Sequence, residues 1–188
     1  MSGLWLIRHG PTHAKGMCGW SDLPADLTDE AALTRLAARL PEARVVSSDL
    51  DRAVRTADAL AGGRPRLPHV PELREMHFGD WELRRHDEIE AETPELIRAF
   101  WDTPGNVAPP GGESWNALRA RCDAAIDRLQ ERADLIVVAH FGVILTQLQR
   151  ALNCSAREVF AHRIEPLSLT RIETGPTGWR LLEVNALP

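Results

Sequence analysis

The sequence predicts an α/β fold, a three-layer sandwich with a mostly parallel central sheet. Three observations lead there. Short apolar runs at Leu4–Ile7, Arg44–Val46 and Leu135–Ala139 each stop abruptly at polar residues, as buried strands do. Segments of helical periodicity separate the early runs, the pattern of strand–helix–strand units with parallel strands. Finally, 188 residues suit one domain, or a domain with an insertion, large enough for a real core.

The first strand, Leu4-Trp5-Leu6-Ile7, is ended by Arg8-His9-Gly10-Pro11. From Asp29 to Leu40, Leu33, Leu36, Ala37 and Leu40 fall on one helical face, with Thr28 or Asp29 as the cap and Pro41 beyond the end. The second strand, Arg44-Val45-Val46, breaks at Ser47-Ser48-Asp49. A helix from Asp51 to Leu60 follows it and closes at Gly62-Gly63. Residues 65–71 carry three prolines and leave room only for a brief strand, and 73–81 has no clear period. One or two helices are expected over 84–101. Residues 103–113, with three prolines and three glycines, read as a loop. Ser114 caps a helix whose stripe is Trp115, Leu118, Cys122, Ala125, Ile126 and Leu129. Leu135–Ala139 is the strongest buried strand, and Val143–Leu152 an apolar helix after it. Two strand-like runs, 167–173 and 179–184, flank Gly175-Pro176-Thr177-Gly178 and predict a hairpin. The stretch 64–113 interrupts the alternation and reads as an insertion over one end of the sheet.

Composition removes several functions. The net charge is −5, and all but one of the 22 basic residues are arginine, the exception being Lys15. A mildly acidic chain with dispersed arginines is not built for nucleic acid or for a membrane surface. No run is long and apolar enough to cross a bilayer, and the first residues lack the pattern of a signal peptide. Three widely spaced cysteines, Cys18, Cys122 and Cys154, make neither a disulfide framework nor a zinc cluster and suit a cytoplasmic protein.

Polar groups follow the carboxyl ends of all three strands: Arg8 and His9, then Ser47-Ser48-Asp49 leading to Arg52, then His140. In an open α/β sheet, ligands bind outside those ends. Two histidines and two arginines should therefore converge into an anion site, most naturally for a phosphoryl group. A neutral imidazole is a competent nucleophile toward a phosphate monoester, arginines stabilise the charge on the transferring group, and a leaving alkoxide needs a nearby acid.

These motifs resemble the histidine phosphatase superfamily, which includes phosphoglycerate mutases. The resemblance rests on Arg8-His9-Gly10-Pro11-Thr12, on Ser47 to Ala53, on Leu73 to Glu82, and on Val138-Ala139-His140-Phe141-Gly142-Val143, in the family's order. It implies a phosphoglycerate mutase-like fold over 1–188, with 64–113 covering the active-site end. It also implies a phosphorylated His9, phosphate contacts from Arg8, Arg52 and His140, Glu75 as proton donor, and no metal or other cofactor. Within the superfamily, the start Leu4 to Gly10 and the run Glu75 to His86 are most similar to the alpha-ribazole phosphatases. That likeness implies removal of the 5′-phosphate of alpha-ribazole 5′-phosphate in cobalamin biosynthesis. Pro11 stands where the family often has Glu, and Lys15 where it usually has Asn. A Gly and a Gln common in the family's first helix are absent. An ammonium can replace an amide as a phosphate donor, so Lys15 is a further candidate contact.

Other readings differ in what they require. A broad-specificity phosphatase or a mutase would use the same groups, and a silent phosphate-binding module would lack the nucleophile or the acid. A metal-dependent hydrolase would use the histidines as ligands, but Gly10-Pro11 disfavours the helix that a His9–His13 pair needs. Glu82, ahead of Glu72 and Asp80, competes with Glu75 as the acid. Trp20 is either a wall of the site or a core anchor. His77, His86 and His162 read as surface or supporting groups, His77 possible in the pocket, and Gly111 to Ser114 as a closing loop or a plain helix entry.

Overall fold

The computed structural model describes residues 1–131, 133–176 and 178–188. Five strands form one sheet in the order β2-β3-β1-β4-β5. Strands β1 (Ser2–Arg8), β2 (Arg44–Ser47) and β3 (Leu135–Ala139) run parallel. Strand β4 (Leu169–Gly175) pairs antiparallel with β1, and β5 (Gly178–Ala186) antiparallel with β4. The parallel sheet foreseen is thus the three-stranded centre, and the expected hairpin extends one side of it. A tight connection can join only antiparallel neighbours; Thr177 of that connection lies outside the described residues.

Side chains alternate across the sheet, so each strand feeds two cores. Leu4, Leu6, Val46, Leu135, Val137 and Ala139 meet the large cluster under α5 (Trp115–Gln130) and α6 (Phe141–Leu152). Ile7, Val45, Ile136 and Val138 meet the smaller cluster under α1 (Glu30–Ala38) and α2 (Asp51–Ala61). Helices on both faces make the three layers. Caps lie where the sequence puts them: Asp29 accepts from the Ala32 amide and Ser114 from the Ala117 amide.

Residues 64–113 hold two single 3₁₀ turns, Pro71–Leu73 and Gly79–Trp81, and helices α3 (His86–Glu92) and α4 (Pro94–Asp102). Their buried residues, Leu73, Met76, Trp81, Ile89, Ile97 and Phe100, join the large cluster instead of forming a core of their own. The proline-rich stretch contributes one bridge, Val45 to Arg66. The 103–113 loop folds against 77–80, with the Asp80 amide donating to Pro110 O and the Glu113 amide to His77 O. Gly79 allows this approach, because its φ is +53° and a Cβ there would run into the Pro110 carbonyl. A short helix, α7 (Ala156–Val159), was not foreseen. Its capping box, Ser155 with Glu158, is the signal for it. Among the described residues, no helix is long and apolar enough to cross a membrane.

Candidate active site

The register of the parallel strands sets the site. Arg8 is level with Ala139, and Ser47 with Val138, so the three strands end together. His9 follows β1 and donates its amide to Ala139 O at 3.0 Å; His140 follows β3 and is the N-cap of α6. The two imidazole centroids are 5.1 Å apart. Arg52 lies in the first turn of α2 and reaches across from β2, with only 1% of its surface exposed.

Hydrogen bonds orient His9. Its Nδ1 is 2.7 Å from Gly10 O, and a carbonyl oxygen only accepts, so the proton is on Nδ1. Nε2 then carries the lone pair, and it accepts from Arg52 Nε at 3.3 Å. Burial, aided by the Arg52 and Arg8 charges, lowers the His9 pKa to about 3, so the ring is neutral at physiological pH. His140 is fully buried, with Nε2 2.7 Å from Ser48 Oγ, while Nδ1 has no partner. Burial, then the repulsion it would meet from a protonated His9, and the charges of Arg52, Arg121 and Arg8 keep it well below the ordinary histidine range.

The arginines are held by carbonyls. Arg52 donates from Nη1 to Ser21 O at 2.8 Å and from Nη2 to Gly19 O at 2.5 Å. Arg8 donates from Nη1 to Ile164 O at 2.6 Å and sits 5.6 Å from the Phe141 ring centroid. Glu75 completes the group. Its Oε1 accepts from the Met76 amide at 2.8 Å, and both carboxyl oxygens are 3.1 Å from the Gly142 amide in the first turn of α6. Burial raises its pKa, against the opposing pull of those amides and of Arg52 and Arg8. A group poised this way can hold a proton above the usual glutamate range. Arg8, His9, Arg52 and Glu75 line a cavity of about 130 Å³ together with Thr12, Ala14, Gly16 and Cys18. A phosphoryl group fits there, with a nucleophilic nitrogen, two guanidinium groups and a carboxyl around it.

Glu82 is drawn to another task. Its carboxylate accepts from the amides of Gly19, Trp20, Ser21 and Phe78 and from Ser21 Oγ. Burial works against ionisation, but those donors hold its pKa below the usual range, which suits an anchor and not an acid. Glu72 pairs with Arg128 and Asp80 is exposed. Trp20 is 39% exposed, donates from Nε1 to Glu75 O at 2.8 Å and meets the His77 ring edge-on at 4.5 Å. It is therefore neither core anchor nor cavity lining, but a brace for the Glu75 backbone. Lys15 is exposed and does not line the cavity, although its neighbours Ala14 and Gly16 do. His13 points to Asp26, 2.9 Å away, His86 to Glu90, and His162 to Val159 O. Among the described residues, no cluster of three or more His, Cys, Asp or Glu is arranged to hold a metal. Gly112 packs on His77 O.

Sequence reasoning missed three supporting groups. Ser48 meets His140, and Arg121 with Glu113 grips the backbone around Glu75. Ser48 lies inside a motif already singled out, and Glu113 inside the Gly111–Ser114 loop, though nothing in either stretch marks these roles; Arg121 is an ordinary helix arginine with no sequence signal.

Comparisons with known proteins identify the family. The model of the histidine phosphatase superfamily (branch 1) matches residues 4–187. An adenosylcobalamin/alpha-ribazole phosphatase of Salmonella typhimurium is 36% identical over 172 residues, covering 86% of this chain and 85% of that protein. A glucosyl-3-phosphoglycerate phosphatase of Mycolicibacterium vanbaalenii is 40% identical over 160 residues, covering 75% and 70%. The crystal structure of the alpha-ribazole phosphatase from Shigella flexneri superposes with a TM-score of 0.83 at 27% identity, over 99% of this chain and 98% of that one. The chain belongs to the histidine phosphatase superfamily and is a phosphatase.

Proposed function

We propose that this histidine phosphatase hydrolyses a small phosphomonoester without a metal, through a phosphohistidine on His9. Its substrate is alpha-ribazole 5′-phosphate, and its setting is cytoplasmic cobalamin biosynthesis. The observation that carries the chemistry is the His9 tautomer: Nδ1–H is committed to Gly10 O, so Nε2 presents a lone pair next to Arg52. Support for the substrate comes from the alpha-ribazole phosphatase relatives, which the chain matches over most of its length.

In the first step Nε2 attacks phosphorus in line, and the bond to the substrate's ester oxygen breaks. Protonated Glu75 gives that oxygen its proton, so the alcohol leaves neutral. Arg8, Arg52 and His140 hold the transferring oxygens, where charge builds in the transition state; loss of one such donor costs roughly 10²–10³ in rate. In the second step a water oxygen attacks phosphorus, the N–P bond breaks, and the ionised Glu75 takes the water proton. Inorganic phosphate leaves, and both residues return to their starting states. The small cavity takes the phosphoryl group, so the alcohol projects outward; Lys15, exposed between the lining residues Ala14 and Gly16, would contact the anion at the rim as it enters. Residues 64–113, which carry the acid, act as an insertion within one domain spanning 1–188 and cover this end of the sheet.

The glucosyl-3-phosphoglycerate phosphatase relative favours a second reading, a phosphatase of glycosylated acids or of wider scope. The deciding assay measures kcat/KM over alpha-ribazole 5′-phosphate, glucosyl-3-phosphoglycerate, 2- and 3-phosphoglycerate, nucleotides and sugar phosphates. A clear preference for the first is expected, with activity untouched by EDTA and a labelled phosphoenzyme lost in His9→Ala. Equal turnover of many esters would remove the alpha-ribazole assignment, and interconversion of the phosphoglycerates would mark a mutase.

A further inference from the structure

Glu75 sits in an irregular stretch between two single 3₁₀ turns, without a helix or strand to fix it. A side chain from the middle of α5 supplies the support. All five N–H groups of Arg121 find acceptors. Nη1 donates to Glu72 O at 2.8 Å and Arg74 O at 2.7 Å, and Nη2 to Glu75 O at 2.8 Å. The remaining two form a fork with Glu113, Nε to Oε2 at 3.0 Å and Nη2 to Oε1 at 2.5 Å. Glu113 in turn accepts the His77 amide at 2.9 Å. One ion pair thus grips three carbonyls and one amide on both sides of Glu75.

This pair is largely shielded, with 19% and 16% of the two side chains exposed, and neither residue lines the cavity. Burying two charges is costly, and a stretch that needed only filling could be packed with apolar groups. The hydrogen bonds instead set the height of the 72–77 backbone. The Glu75 carboxyl depends on that height twice. It accepts from Met76 N within the same stretch and must also meet Gly142 N on α6. A planar fork is required, because the three donors of a lysine on one nitrogen cannot span these acceptors.

We infer that Arg121, locked by Glu113, is a positioning residue for the proton donor, acting on leaving-group protonation without touching the substrate. This rests on Glu75 being the acid, and the test separates the two claims. The variants Arg121→Lys, Glu113→Gln and Glu75→Gln are compared on two esters sharing one phosphoryl group. An alkyl phosphate leaves as a basic alkoxide and needs the proton, whereas p-nitrophenyl phosphate departs without it. Glu75→Gln should lose roughly 10²–10⁴-fold in kcat/KM, which reports transfer to His9 and not the hydrolysis step both esters share, on the alkyl ester and far less on the aryl ester. Arg121→Lys should show the same asymmetry at about 10–100-fold, with inhibition by inorganic vanadate unchanged. Equal losses on both esters, or weakened vanadate binding, would assign Arg121 to general stability and overturn the inference. If Arg121→Lys does not fold, Glu113→Gln, which keeps the shape, is expected to show the same asymmetry, and a uniform loss there overturns it equally. Equal losses in Glu75→Gln would remove the acid itself and the inference with it.

Discussion

Gly142→Ala sets local helix preference against tertiary contact. Gly142 is the second residue of α6, and its amide donates to both oxygens of Glu75 at 3.1 Å. A Cβ at this position would overlap Glu75 Oε1 and lie 3.1 Å from Leu118 Cδ2. Leu118 is fully buried, so the carboxyl must give way. Helix propensity favours alanine by up to ~1 kcal/mol. Leaving the buried Gly142 amide without its acceptor costs about 1–3 kcal/mol. The net change in stability should therefore be a small loss, on the order of 1–2 kcal/mol. Activity should respond far more, because a displacement of ~1 Å at a reacting group can cost about 10²-fold. The assay is kcat and KM on an alkyl phosphomonoester beside a thermal melt, with kcat expected to fall roughly 10²-fold. Wild-type kcat with a raised melting temperature would show that the Glu75–Gly142 contact is dispensable, and the reasoning would be wrong.

Four other outcomes follow from the same geometry. Deprotonation of Glu75 removes the donor, so kcat/KM on an alkyl ester should decline as pH rises through a value above the ordinary 4.5 of a glutamate; a profile flat to alkaline pH would contradict this. His9 titrates near 3 when folded and near 6.5 when unfolded. Its stabilising effect is complete above the unfolded value and lost as pH falls toward the folded one. Urea midpoints should therefore drop over that interval less steeply in His9→Gln than in the parent. Glu82→Gln weakens the anchor of the 19–21 loop and should cost ~1–3 kcal/mol in denaturant unfolding while the alkaline limb stays in place; loss of that limb would make Glu82 the acid. Lys15→Ala should raise KM several-fold at low salt and less at high salt with kcat preserved, as expected for a rim charge, and an unchanged KM would remove Lys15 from the site.

Much of this is legible in the sequence alone. Arg8, His9, Arg52 and His140 each follow an apolar run, and the rule that ligands gather at the carboxyl ends of parallel strands brings them together. Glu75 was different. Its segment has neither helical nor strand period, because it is held by side-chain-to-backbone bonds from elsewhere, and only family likeness pointed to it. The choice between Glu75 and Glu82 was also beyond pattern. Both are glutamates in one short stretch, yet one is buried beneath a helix N-terminus and the other is wrapped by five donors.

Periodicity, caps and turn residues were enough to place the strands and the longer helices, since those signals are local and each such element carries its own. From them came the layered α/β class, the shared end of the three strands, and an anion site in a chain of net negative charge. Protonation states and roles came from contacts distant in sequence. Gly10 O sets the His9 tautomer, Ser48 meets His140, Gly142 meets Glu75, and Arg121 carries the irregular acid segment. Burial and hydrogen bonding shift a pKa through whatever surrounds the group, and those surroundings exist only once the chain has folded.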